Sequence, residues 1–421
     1  MLKEIGTANQ HYAYRLLQCL TVAIRPLRID ELAEILALDF DGAKDGIPVL
    51  KEDWRWKDRQ EAILSTCSSL VTVVGDVRHR VVQFSHFSVK EFLTSNRLAT
   101  SNVDISHFHI LPEPAHTVIA RACLGILLRS DIGVGGAKAK SSSPLTEYAA
   151  EHWVDHAQFE KVSTRLQVEM RPLFDPAIPY FKAWLKSYNI DRRWPGFSVD
   201  GYKDEDSRWD KQHGSPLYYA SLCGFLNLVA HLIAKHPQHV NTTLGRCLSP
   251  LAAALCKRHF DVAELLYQHG ADVGIRGHKN RTLLHAASVE GFVDIAQWLL
   301  DGRIGAHSPQ VNHEIPRRSA ETSGHLGRCK SVDAADDINH TPLHLASLHG
   351  RFEIVRLLIE HGAEVTSRNG NYQTPLHLAS SSKSAETVRL LLTHNADVNV
   401  RDNTHKTPLH LASSRVSIEI V

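Results

Sequence analysis

Four histidines recur at one fixed place in a repeating segment: His285, His344, His377 and His410, the last three each closing a Thr-Pro-Leu-His tetrapeptide that starts at Thr341, Thr374 and Thr407. A periodic histidine raises metal ligation as the first chemistry to weigh. Segments stacked side by side, however, hold equivalent residues about 8–10 Å apart, too far for two rings to share one zinc, whose nitrogen ligands sit about 2 Å from the metal. The pattern therefore predicts a structural ring, with a nitrogen bonded to backbone in each turn. His152 and His156, four apart on an expected helix, could share a metal, but no third ligand of suitable spacing accompanies them. Gly133-Val-Gly-Gly-Ala-Lys-Ala-Lys140-Ser141 has the residue types of a phosphate loop, yet its lysine follows alanine, and the segment follows a helix-like run at 122–128 where a phosphate loop follows a strand. It reads as a flexible linker. Gly-x-Ser-x-Gly and His-Glu-x-x-His are absent. The chain is accordingly expected to be non-catalytic, with no cofactor and no metal.

Composition agrees with that expectation. Of 421 residues, 43% are hydrophobic and 22% charged, and 47 Lys and Arg against 46 Asp and Glu leave a formal charge of +1, so nothing global draws the chain to nucleic acid or to a membrane. Seven scattered cysteines without a CxxC pair suit reduced thiols better than a disulfide framework or a zinc site. No apolar run reaches the roughly 18 residues that span a bilayer, and the first residues lack the apolar core of a signal peptide. A cytoplasmic protein, or a nuclear one, is expected.

The elements that must position the histidines come from the repeat itself. Weaker copies start at Ser215, Ser249 and Thr282, so successive starts lie 34, 33, 59, 33 and 33 residues apart. A period near 33 with this tetrapeptide resembles ankyrin repeats, which implies an α-solenoid of stacked helical hairpins and a binding function. Six repeats are expected over 214–421, with an insertion at about 301–335 that reads as a loop on one edge. In each unit Thr341 and its equivalents cap the first helix, Pro342 fits its first position, and Gly350 stops it. The second helix carries the apolar stripe Ile354, Val355, Leu357, Leu358 and Ile359, and Gly362, Gly270 and Asn395 supply its left-handed C-cap. The sixth copy ends at Val421, before a counterpart of Arg389-Leu390-Leu391-Leu392, and a frayed, association-prone last repeat is expected.

Because stacking occupies the apolar positions, recognition in such an array falls to turn tips and exposed first-helix residues. These are Lys279 and Asn280, Asn339 and His340, Asn371 and Tyr372, and Asn403 and Thr404, with Leu348 and Ser381 on the following helices. Tyr372 is the expected anchor, since tyrosine offers large contact area at small entropic cost. The expected partner is another protein.

The N-terminal half has a different pattern. Asp30 is expected to cap a helix bearing Leu32, Ile35 and Leu36, and a second helix is expected at about 57–70. Leu70 to Val74 and Arg80 to Phe84 flank a turn, and Ser88-Val-Lys-Glu91 suggests a capping box opening the next helix. This is the element order of a winged helix. Arg25-Pro-Leu-Arg-Ile-Asp-Glu-Leu-Ala, Cys67-Ser-Ser-Leu-Val and Phe84-Ser-His-Phe-Ser-Val-Lys-Glu-Phe-Leu resemble the winged-helix region that follows the ATPase in fungal NACHT and ankyrin repeat proteins, and Ser143-Pro-Leu-Thr-Glu-Tyr-Ala-Ala-Glu-His-Trp153 resembles their helical connector.

The resemblance implies a mainly α protein: a winged-helix domain at 1–100, a connector at 101–190, a linker at 191–213 and the repeats. It also implies the setting of an NLR-like signalling ATPase, although this sequence carries no Walker lysine and so departs from that pattern. The expectation is the middle part of a receptor-like protein, acting through protein binding. Two alternatives stay open. One is a winged-helix DNA-binding regulator contacting DNA through Arg55, Lys57, Arg59, Arg78, His79 and Arg80. The other is a regulatory fragment that docks on a NACHT ATPase in another chain.

Overall fold

Apolar residues at helical spacing place one face of Gln10–Val22 (α1) in a core, with Ala13, Leu16, Leu17 and Cys19 fully buried. The computed structural model describes residues 2–42, 46–55, 58–67, 69–76, 80–101, 103–129, 143–193, 214–301, 331–382 and 384–414. It divides into two compact units, one of Met1–Arg193 with Cys223–Leu232, the other of Trp194–Leu222 with Ile233–Val421. The segment resembling a phosphate loop, residues 194–213 of the expected linker, residues 302–330 of the expected insertion and the expected fraying segment at 417–421 lie outside the described residues.

In the first unit α1 is followed by β1 (Leu27–Arg28), α2 (Ile29–Leu36), β2 (Leu38–Asp39), β3 (Val49–Leu50), α3 (Arg59–Cys67), β4 (Val71–Val74), β5 (Val81–Phe84) and α4 (Phe87–Leu93). The expected hairpin is present, with Val73 opposite Val82 in antiparallel register. A third strand joins it, because Leu27 pairs with Val82 from the other side and gives the order β1-β5-β4. Two residues are too few to show alternation, so β1 had no sequence signature. Leu32, Ile35, Ile63 and Val82 close the core between this sheet and the three helices.

Two expected caps are corrected. Helix α2 starts one residue before Asp30, its N-cap is Arg28, and the Glu31 carboxylate turns back to accept from the Arg28 amide at 2.7 Å. Asp30, inside the first turn, pairs with Arg59 instead. Helix α4 is capped by His86, whose Nδ1 accepts from the Ser88 amide at 3.2 Å, so Ser88 lies within the helix. In the first case the Glu31 carboxylate reaches back to the Arg28 amide, and in the second the His86 ring reaches the Ser88 amide from two residues upstream.

Short helices α5 (Asn96–Ala99) and α6 (Val103–Ser106) lead to α7 (Pro112–Leu127), which packs on α8 (Thr146–Ala157). Ile119, Cys123 and Ile126 of α7 and Ala149 and Trp153 of α8 are fully buried. After α9 (Val162–Arg165) and α10 (Gln167–Met170), α11 (Tyr180–Ser187) brings Trp184 edge-on to Trp153 at 5.3 Å, and its indole donates to the Ala150 carbonyl at 3.0 Å.

The second unit is built from helical hairpins. The first helices are α12 (Pro216–Leu222), α14 (Pro250–Cys256), α16 (Leu283–Glu290), α18 (Pro342–Leu348), α20 (Pro375–Ser382) and α22 (Pro408–Ser414). Of the second helices, α13 (Leu226–Lys235) falls mostly in the first unit's segment Cys223–Leu232, whereas α15 (Phe260–Gln268), α17 (Val293–Asp301), α19 (Phe352–Glu360) and α21 (Ala385–Thr393) belong to the second. Neighbouring first helices pack together along α16, α18, α20 and α22. Gly270, Gly350, Gly362 and Asn395 adopt the left-handed conformation that the caps require, with φ of 85°, 63°, 81° and 62°.

Candidate protein-binding surface

The tetrapeptide explains its own geometry. Thr341 is the N-cap of α18, and its hydroxyl accepts from the His344 amide at 3.4 Å while Nδ1 of His344 accepts from the Thr341 amide at 3.2 Å. An accepting Nδ1 leaves the proton on Nε2, which donates to the Gln373 carbonyl of the next turn at 3.1 Å. His285 and His377 repeat the arrangement toward the carbonyls of His340 and Lys406, at 3.0 and 3.2 Å. The rings of His285, His344 and His377 are fully buried. Burial pushes the imidazoles of His285 and His344 down to about 4, so the neutral ring is the working form.

The turns between hairpins are fixed from inside as well. Oδ1 of Asp336 accepts from the amides of Ile338 and His340 at 3.0 and 2.8 Å, and Asn369 and Asp402 do the same one and two repeats on. Burial alone would raise the Asp336 carboxyl, but the two amides and Arg281 outweigh it and hold it below the usual range. Adjacent tips are tied by backbone: Asp337 donates to the Lys279 carbonyl at 3.0 Å, Gly370 to that of Ile338 at 2.8 Å, and Asn403 to that of Asn371 at 3.0 Å.

Beside left-handed Lys279 at φ 57°, one equivalent residue in each of four tips is left-handed: Asn280 at φ 60°, Asn339 at 57°, Tyr372 at 58° and His405 at 61°. The last three are 33 residues apart. Asparagine tolerates this conformation, whereas a bulky side chain there is an outlier that invites a functional explanation. The Tyr372 side chain is nonetheless 58% exposed and packs into no core.

Of the residues expected to recognise a partner, Lys279, Asn280, Asn339, Leu348, Asn371, Tyr372, Asn403 and Thr404 are exposed, and His340 and Ser381 are half-buried. Asn280, Asn339 and Tyr372 hold equivalent places, whereas Asn403 and Thr404 lie one or two residues before the equivalent one. That place belongs to His405, which is exposed and was missed. Counting 33 residues on from Tyr372 would have found it.

In the first unit, the described cations of the DNA-binding alternative are engaged. Arg55 pairs with Glu34 and Glu52, Arg59 with Asp30, and Arg80 with Gln60. Lys57, Arg78 and His79 lie outside the described residues. His152 and His156 turn to different partners, Asp155 at 3.2 Å for the first, His116 and Tyr148 at 2.8 Å each for the second. No group of three metal-binding side chains occurs among the described residues.

Residues 217–313, 280–369 and 366–421 match the family model for ankyrin repeats. The repeats are ankyrin repeats. Residues 2–106 match the model described as GPI inositol-deacylase, winged helix domain, so the chain joins a winged helix of that type to an ankyrin solenoid. It is similar to azaphilone pigments biosynthesis cluster protein L of Monascus ruber, 30% identical over 273 residues that cover 62% of this chain and 55% of that protein. Ankyrin repeat protein nuc-2 of Neurospora crassa is 32% identical over 116 residues, 25% of this chain and 10% of its own length. NF-kappa-B inhibitor cactus of Drosophila melanogaster is 25% identical over 190 residues, 44% of this chain and 36% of its own length. The chain thus spans about half the length of the Monascus relative and smaller shares of the other two. The ankyrin repeats mark a protein–protein interaction module. No described helix is long and apolar enough to cross a membrane.

Proposed function

We propose that the chain is a non-catalytic adaptor whose ankyrin tips bind a protein partner through Tyr372, flanked by Asn339, Asn371 and His405. The observation that carries this reading is Tyr372 itself, a bulky exposed side chain in a left-handed position where the equivalent residues of two other repeats are asparagine. The fold gains nothing from tyrosine there, and exposed tyrosines are efficient anchors of protein interfaces. A relative named as an inhibitor of NF-kappa-B, similar over 44% of this chain, is in keeping with binding as the activity.

The finer reading is an NLR-like signalling protein, in which the winged helix serves internal packing and the repeats sense the partner. The motifs at Arg25–Ala33 and Phe84–Leu93 support it. Incubating the full chain with labelled ATP tests the non-catalytic part. Neither retention nor hydrolysis is expected, and turnover above a protein-free control would refute it. Replacing Tyr372 by asparagine tests the binding part: retention of the partner should be lost without loss of stability.

A further inference from the structure

We propose that Cys247 and Cys256 are a dithiol switch, closed to a disulfide by hydroperoxides, on the recognition side of the second repeat. The Cys256 thiol donates to the Cys247 sulfur at 3.2 Å. Cys256 is the last residue of α14, and Cys247 stands two residues before its N-cap, Ser249. Aligning Ser249 with Thr341 places Cys247 where the fourth repeat has Asn339 and Cys256 where it has Leu348. Both are recognition positions under the reading above, so the effect on binding rests on that reading, while the disulfide itself does not.

The two sulfurs differ in access. Cys247 is buried and Cys256 is half-exposed, so an oxidant meets Cys256 first. Cys247 is held in place, because its amide donates to the Tyr218 hydroxyl at 3.1 Å. The Tyr218 ring in turn lies so close to Gly245 that a Cβ there would come within 2.5 Å of it. Both cysteines adjoin tight turns, with left-handed Leu248 at φ 69° and Arg258 at 59°. A disulfide needs the sulfurs at about 2.05 Å, a closure of about 1 Å that end-of-helix and turn residues can supply. Burial pushes the thiols of Cys19 and Cys67 up to about 12 and raises that of Cys123, which leaves these three poor nucleophiles.

The chemistry balances with a hydroperoxide as the only oxidant. The Cys256 sulfur attacks one peroxide oxygen, the O–O bond breaks, and a sulfenic acid forms with release of water or an alcohol. The Cys247 sulfur then attacks the sulfenyl sulfur, the S–O bond breaks, and the oxygen leaves as water with the Cys247 proton. Two thiols are oxidised and one hydroperoxide is reduced.

Trypsin cutting after Arg246 and Lys257 yields a peptide, 247–257, that contains both cysteines and no other. The full chain is titrated with hydrogen peroxide, blocked with iodoacetamide, digested and mapped by mass spectrometry. The expected result is joint loss of alkylation at both cysteines, with the peptide lighter by two hydrogens and full recovery after dithiothreitol. In Cys247→Ser the Cys256 sulfur should instead advance to sulfinic acid. Independent alkylation of the two thiols, sulfinic acid on Cys256 in the unsubstituted chain, or a link from either to another cysteine would overturn the proposal. The readout needs no partner protein, so its failure and a failure of the protein-binding reading are separate results.

Discussion

Nε2 of His344 donates to the carbonyl oxygen of Gln373 at 3.1 Å while Nδ1 of the same ring caps its own helix through the Thr341 amide. One imidazole therefore closes a helix and fastens the next repeat to it. Replacing it by alanine strips the helix of part of its cap and leaves a buried carbonyl unpaired. Each loss costs about 1–2 kcal/mol, so His344→Ala should lower unfolding stability by about 2–3 kcal/mol. Urea unfolding followed by circular dichroism checks this, and a change below about 0.5 kcal/mol, the level of an ordinary surface substitution, would deny the ring that double role.

The same rings set a pH dependence. Burial lowers His285 and His344 from an ordinary value near 6.5 to about 4, and protonation would place a proton on the Nδ1 that must accept from an amide. A group depressed on folding contributes stability that is complete above its unfolded value and is lost as pH falls toward its folded value. The melting temperature should thus be level above pH 7 and fall between about pH 6.5 and 4. The buried pair His116 and His156, lowered by burial to about 4 and about 3, pulls the same way in the first unit. A His344→Gln variant should show a shallower fall, and an unchanged slope would place the acid sensitivity elsewhere.

Glu31 holds the winged helix together at the start of α2. Its buried carboxylate accepts from Arg25 at 2.9 and 2.6 Å, from the Arg28 side chain at 2.9 Å and from the Arg28 amide at 2.7 Å. Burial by itself would raise this carboxyl, and the arginine and amide hydrogen bonds reverse that and keep it below its ordinary range. Glu31→Gln leaves the Arg25 guanidinium without its counter-charge and takes one of two carboxylates from Arg28, which keeps Glu147, and a loss of about 2 kcal/mol is expected. Thermal unfolding of the variant reads this directly. An unchanged melting temperature would contradict the role.

A duplex DNA titration at two salt concentrations should give no saturable binding whose affinity falls steeply with salt. The reason is local: Arg55, Arg59 and Arg80 already face Glu34, Glu52, Asp30 and Gln60. A salt slope equivalent to several phosphate contacts would favour the DNA-binding alternative.

The repeats were legible because their physics is local. Thr-Pro-Leu-His encodes a cap, a first-turn proline, a core leucine and a bridging ring within four residues, and glycine marks several of the stops, as at Gly270, Gly350 and Gly362. The winged helix was legible in order and less so in detail. The caps at Arg28 and His86 depend on which side chain reaches the amides, and β1 exists only because β5 pairs with it. The recognition surface was legible as a set of tips, but not as a register. His405 stood out only once the left-handed positions showed which residue of each tip is equivalent to Tyr372. The proximity of Cys247 and Cys256, nine residues apart around a helix, has no sequence signature at all.

Tyr372 is the residue proposed to contact a protein partner. A photo-crosslinking amino acid placed at 372 in the full chain, irradiated in native extract, tests it directly, with the same residue at exposed Glu360 on α19 as the control. Tyr372→Asn serves beside it, because asparagine relieves the left-handed backbone and should leave the melting temperature equal or higher. A discrete protein adduct is expected from position 372, absent from position 360, with loss of that partner's retention in Tyr372→Asn and no loss of stability. Identical adduct patterns from the two positions, or undiminished retention by Tyr372→Asn, would contradict it.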